Sequence, residues 1–151
     1  MTGSSDFERP ARTDAEELTA EGNWSWSEAQ YEHKAFQFWA PKDLLAVPLA
    51  SDSSWIDETG EYRWSYLSRL ELIKVEGGAL SRHGAIDHSH FFESDPTYYW
   101  SYTDVRRSIF MGEFIYAISD RGISVHRTAD LVSVTEEPLP GTRPEDVYWW
   151  Y

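Results

Sequence analysis

No cysteine occurs in the 151 residues, so disulfides, thiolate metal centres and cysteine nucleophiles are excluded together, and the redox compartment stays open. Positive charge is scarce as well. Thirteen Lys and Arg oppose 26 Asp and Glu, a formal net charge of −13, which disfavours attraction to a phosphate backbone or to an anionic membrane face. Long apolar runs are missing: the longest, Leu44–Ala50, is interrupted by Pro48, far short of the ~20 residues of a membrane-spanning helix. The opening Met1-Thr-Gly-Ser-Ser-Asp-Phe-Glu has neither a basic nor an apolar stretch, so no signal peptide is expected. Neither nucleic acid nor membrane insertion is an expected partner. Signatures of nucleophilic catalysis and phosphate binding are absent too, with no Gly-x-Ser-x-Gly, Gly-x-Gly-x-x-Gly or Gly-x-x-x-x-Gly-Lys segment, and a non-enzymatic chain is expected.

What the chain has in excess is aromatic side chains, 16% of its residues. A disordered acidic chain lacks the apolar surface to offset its ordering entropy, so a part of this one packs. Its length suits one domain with one core. The acids lie mainly at the ends. Residues 1–32 hold eight acids against Arg9 and Arg12, and residues 128–151 hold five against Arg143. We expect residues 1–32 to be a largely disordered acidic tail, 33–140 the folded domain, and 141–151 an aromatic C-terminal tail. Trp24 and Trp26 alternate with Ser25 and Ser27, a period-2 pattern that suits a strand or a docking peptide.

From His33 onward, short strand patterns alternate with turn residues and no helical period of ten residues occurs. Strands are expected at 35–40, 44–49, 62–72 and 79–88, with a polar loop at 51–61 read as an insertion. Pro48 cannot donate to a ladder, so its amide side should face an edge or a bulge. Tyr62, Trp64, Tyr66, Leu70 and Leu72 share one parity and Arg63, Ser65, Arg69 and Glu71 the other, the mark of a half-buried strand. A second set is expected at 105–111, 114–119, 123–126 and 131–134, with Gly112-Glu113 as a two-residue type II′ turn. Ile109–Met111 and Phe114–Ile118 are apolar at both parities, which predicts that both faces of that hairpin are covered. The fold class is therefore all-β, two four-stranded antiparallel meanders like β-propeller blades, with a β-sandwich as the alternative.

Two segments carry a family resemblance: Tyr31–Leu49, with its His-Lys-Ala-Phe strand and Val-Pro ending, and Arg106–Val125, with Arg-Arg-Ser-Ile ahead of a hydrophobic stretch and Gly112. Together they resemble the C-terminal blades of the bacterial and archaeal "beta propeller domain" family, exported proteins distantly related to WD40 repeats. The resemblance implies a propeller fold, an exported or cell-envelope setting, and no catalytic residues. It also implies more blades than the two found here, so the chain is expected to complete its packing with other blades or by forming a homo-oligomer.

Two kinds of site are candidates. His88 and His90 sit two apart, so on a strand both imidazoles would share a face, with Asp87 and Glu93 adding oxygen ligands for zinc or iron. The run is similar to the His-X-His…Glu metal motif of cupins, but its spacing falls short on both sides; the alternative is a hydrogen-bonded polar strand end. Asp52, Asp57, Glu58 and Glu61 could gather calcium, although no Asp-x-Asp-x-Asp-Gly order occurs; otherwise no cofactor is expected. The second kind is aromatic: Trp24, Trp26, Tyr98, Tyr99, Trp100 and the terminal Tyr148, Trp149, Trp150 and Tyr151 could dock a partner protein or a sugar, since such rings give large contact area at small entropy cost.

Overall fold

Two antiparallel sheets stack face to face in a computed structural model that describes residues 24–93 and 104–140. The first contains β1 (Trp24–Trp26), β2 (Gln37–Trp39), β3 (Leu44–Ile56), β4 (Tyr62–Glu76) and β5 (Ala79–Asp87). One helical turn, α1 (His90–Glu93), follows. The second sheet is a meander of β6 (Val105–Met111), β7 (Phe114–Ser119), β8 (Gly122–Arg127) and β9 (Ser133–Pro138). The fold is all-β. No described helix is long and apolar enough to cross a membrane.

Alternation along the strands makes the core. Tyr66, Ser68, Leu70 and Leu72 of β4 are buried on one face, as their shared parity requires. Leu44, Ala46, Leu70, Leu72 and Ile86 of the first sheet meet Val105, Phe110, Ile115 and Ala117 of the second. Trp39 stacks on Phe110 at the side of this core, ring centres 5.7 Å apart and planes 16° off parallel. Strand order runs the same way in both sheets. β6 lies against β2, β3 and β4, while β5 reaches the turn between β8 and β9, where the His83 Nε2 is 2.8 Å from the Thr128 carbonyl oxygen.

Several sequence expectations need correction. Residues 51–56 are strand rather than loop: β3 runs on to Ile56 and stays in register with β4 as far as Ile56 opposite Tyr62. Its polar residues mislead because this end of the hairpin overhangs the second sheet, whose strands are six or seven residues long, so neither face needs to be apolar. The strand expected at 35–40 shrinks to Gln37–Trp39, since the chain turns where the Ala35 amide donates to the Glu32 carbonyl. The first sheet gains a fifth strand from the expected acidic tail. β1 pairs with Ala50–Asp52 of β3, so the folded part reaches back at least to Trp24. The last strand begins at Ser133 instead of Leu131, because Leu131 takes a positive φ of 57° in the turn that closes on Arg127.

Pro48 lies where expected. Its carbonyl accepts from the Ser27 hydroxyl, and within a strand a residue's N–H and C=O point to the same side. The missing N–H therefore faces the gap that β1 and β2 leave along the edge of β3.

Candidate functional site

The strand geometry invoked for His88 and His90 does not occur. β5 stops at Asp87, whose carboxylate accepts from the Ser89 amide at 2.8 Å, and this local bond turns the chain so that His90 opens α1. His88 is fully buried and crosses from the first sheet into the second, with Nδ1 3.1 Å from Ser119 Oγ and Nε2 2.7 Å from Ser124 Oγ. His90 is half-exposed and faces Glu136 of β9 at 3.1 Å. The side chain of Glu93 lies outside the described residues. Among the described residues no three His, Asp or Glu side chains converge on a point a metal ion could occupy, and both ring nitrogens of His88 already have partners.

The protons of the His88 joint can be assigned by working back from its end. His126 Nδ1 is 2.9 Å from the Leu131 carbonyl, which can only accept, so Nδ1 carries the hydrogen and Nε2 of the neutral ring accepts. Ser124 then donates to His126 Nε2 at 3.0 Å and accepts from His88 Nε2. Ser119 accepts from the Gly122 amide at 3.1 Å and has one hydroxyl hydrogen for two acceptors, His88 Nδ1 at 3.1 Å and the Gly122 carbonyl at 3.2 Å. The result is one oriented chain of hydrogen bonds through both sheets. Phe91 covers it from above: its ring lies 4.9 Å from that of His88 and occupies the place a Cβ at Gly122 would take. Burial, followed by the neighbouring His90 and His126, pulls the His88 imidazole down to about 4 from its usual 6.5, against the weaker opposing pull of Asp87.

Ser124→Ala removes the middle of this chain and strands the His88 Nε2–H and the His126 Nε2 acceptor in the interior. The expected loss is about 1–3 kcal/mol of unfolding free energy by urea titration; an unchanged midpoint would contradict the assigned chain.

Two of the carboxylates considered for calcium, Asp57 and Glu61, have local work. Asp57 accepts from the Thr59 hydroxyl and amide, the Glu61 amide and the Arg63 guanidinium. These bonds, the Thr59 hydroxyl first, lower its carboxyl to about 2 and close the β3–β4 turn. Arg63 also pairs with Glu61 at 2.9 Å.

On the overhang of that hairpin, aromatic residues share one face by register. Trp24 of β1 lies opposite Asp52, which lies opposite Tyr66. Trp64 stacks on Tyr66 with ring centres 6.2 Å apart, and Trp26 is 6.1 Å from Tyr66 on the other side. Asp104, just before β6, accepts from Trp26 Nε1 at 2.9 Å and from the Tyr66 hydroxyl, clasping the first strand to the start of the second sheet. Trp24 remains 74% exposed. Tyr98, Tyr99, Trp100 and Tyr148–Tyr151 lie outside the described residues.

The outward faces of the two sheets complete the picture. Both faces of the β6–β7 hairpin were expected to be covered. In the structure the first sheet covers one face, and on the other Ile109, Met111 and Phe114 are exposed beside half-buried Tyr116, Ile118 and Val125. The outward face of the first sheet carries Leu45, Val47, Leu49 and Leu67, all half-buried, and Phe38, which is exposed. In its midst sits Glu71, 1% exposed, between Arg69 at 2.6 Å and Arg82 at 3.0 Å. The sequence placed Glu71 on the polar parity of a half-buried strand; the signal for its burial was Arg69 two residues away on the same face.

Two consecutive antiparallel sheets stack in the same strand order and carry apolar residues on their outer surfaces too. A family model decides the kind of fold: the model described as "Beta propeller domain" matches residues 4–131. The chain belongs to the beta propeller domain family. No curated protein and no solved structure matches it at a significant level. In propeller terms the two sheets are neighbouring blades, since propellers are built from four-stranded sheets packed face to face around an axis. The His88 chain and the Trp39–Phe110 stack are then contacts between blades, and Asp104 a clasp across them.

Proposed function

We propose that the chain is a non-catalytic propeller-like interaction module, a scaffold that completes its sheet packing by self-association. One observation carries this reading: both sheets bury one face against each other and leave apolar residues, including Phe38, Ile109, Met111 and Phe114, exposed on the other. Extended apolar surface of this kind marks protein contact, and repeat units that cannot bury both faces alone gain stability from a neighbour. The net charge of −13 argues against nucleic acid as the partner. No catalytic role is assigned to the buried histidines, whose nitrogens are committed to the joint between the blades.

If association and folding are coupled, the melting temperature depends on protein concentration. For a dimer of chains of this size, a hundredfold rise in concentration should raise it by about 3–5 °C. A melting temperature constant over that range would sink the proposal.

A second reading, carbohydrate binding, draws on Trp24, Tyr62, Trp64 and Tyr66 sharing one face of the β3–β4 overhang, with Trp24 and Tyr62 well exposed. Tryptophan fluorescence across a glycan panel separates the two: a saturable change supports this reading, and none removes it.

A further inference from the structure

We propose that residues 1–23 of this chain lie across the outward face of the first sheet and cover its middle. The inference concerns the inside of one chain and does not depend on self-association.

Burial is the first observation. Strand parity places Ser51 of β3 and Glu71 and Ile73 of β4 on the outward face, away from the second sheet, yet they are only 2%, 1% and 5% exposed. An antiparallel sheet with one free face wets that face. The second sheet behaves so: among the described residues of its outward face none is buried, and Met111 is 59% exposed. Both guanidiniums of Arg69 and Arg82 are turned to Glu71, and Ser51, beside Ser25 and Leu67, is shut off without them. These exposures are those of one chain by itself, so the cover is part of this chain. Among the described residues no element lies on that face. The second sheet packs on the inner one, α1 seats Phe91 against Gly122 of β8, and the turn at Glu28–Gln30 is tied through Glu28 to Arg106 of β6.

Three stretches of chain remain, and the path of the chain selects one. Residues 94–103 join α1 to β6, whose Val105 amide donates to Ser68 on the inner face, so both ends of that stretch lie toward the second sheet. Residues 141–151 follow β9 beside Arg121, which donates to the Pro140 carbonyl, again on the second sheet. Residues 1–23 lead into β1, an edge strand of the first sheet itself, where Ser25 stands beside Ser51 on the outward face. Their reach is ample: the strip from Leu67 to Ile73 is about 20 Å long, and 23 residues extend to about 75 Å. The family match adds independent support, because it begins at residue 4 and takes most of this stretch into the domain. Within that matched part Phe7 and Leu18 are the large apolar side chains, suited to the half-buried Leu45, Val47 and Leu67. Phe38, at the margin on β2, stays 51% exposed, so the cover ends short of it.

The chain lacks cysteine, so a single introduced thiol reports on the cover. In full-length Ser51→Cys, an aromatic disulfide reagent is expected to react at least about a hundredfold more slowly than with the same variant in urea, at a rate independent of protein concentration. Hydrogen exchange of amides 4–23 in the unaltered chain is expected to be slowed at least about tenfold relative to the unfolded chain. Adding Phe7→Asp and Leu18→Asp should raise the thiol rate at least about tenfold, with a thermal melt verifying that the sheets stay folded. The exchange measurement needs no substitution and decides the matter should a variant unfold. A fast thiol in folded Ser51→Cys overturns the cover. Exchange of 4–23 at unfolded rates, or a thiol rate untouched by the two aspartates, assigns the cover to another stretch and overturns the proposal. Protection lost on dilution assigns it to a second copy and does the same.

Discussion

Leu70→Ala is expected to lower the unfolding free energy by about 2–5 kcal/mol, the range for removing a buried leucine from a packed core. Leu70 is fully buried. It lies on the central strand β4, with Pro48 on one side and Ile86 on the other, and it belongs to the cluster where the two sheets meet. The upper half of the range applies because the surroundings cannot collapse into the gap: Pro48 is held by its ring, and Ile86 by its pairing in β5. The measurement is urea denaturation of parent and variant at one low protein concentration, so that association does not enter the comparison. A loss below about 1 kcal/mol would mean that the sheets do not rely on this contact.

The second large effect is on pH. His88 is buried neutral and its imidazole is depressed to about 4, whereas in the unfolded chain it titrates near 6.5. Between these values the unfolded state binds more protons than the folded one, so stability falls as pH drops through 6.5 and the loss is complete near pH 4, where both states are protonated. With each pK unit worth about 1.4 kcal/mol, the total loss is about 3 kcal/mol. The groups facing His88 do not offset it: His90 and His126 oppose its protonation, and Asp87 favours it only weakly. Carboxylates titrating in the same range add their own slope, so the comparison is with His88→Gln, which keeps a polar side chain between Ser119 and Ser124 without the titration. The difference in stability between parent and variant should shift by about 3 kcal/mol from pH 7 to pH 4. Parallel curves would contradict the neutral, buried assignment.

The sequence made some of this legible and hid the rest for identifiable reasons. Strands with clean alternation, such as β4, and tight turns, such as Gly112-Glu113, could be read from local pattern because period and turn chemistry are local properties. The end of β3 could not, since Ser51–Ile56 is polar strand on an overhang where burial sets no pattern. For Trp24–Trp26 the pattern left a strand and a docking peptide open within an expected tail, and its place in the first sheet depends on pairing with residues about 26 positions later, which the three-residue pattern does not specify. At His88 the chemistry was seen and its setting was not. The spacing suggested two imidazoles on one face, while Asp87 capping Ser89 ended the strand between them. The partners Ser119, Ser124 and His126 come from the other sheet, 31 to 38 residues away, and no spacing rule reaches that far. The doubly apolar hairpin β6–β7 was recognised, but the expected cover on both faces is not found: among the described residues one face is covered, and Ile109, Met111 and Phe114 stand exposed on the other.

Light scattering coupled to size exclusion tests the central claim most directly. The self-association account predicts a folded species whose mass is a multiple of 17.5 kDa and rises with loading concentration. A well-folded species holding at 17.5 kDa at every concentration would contradict it.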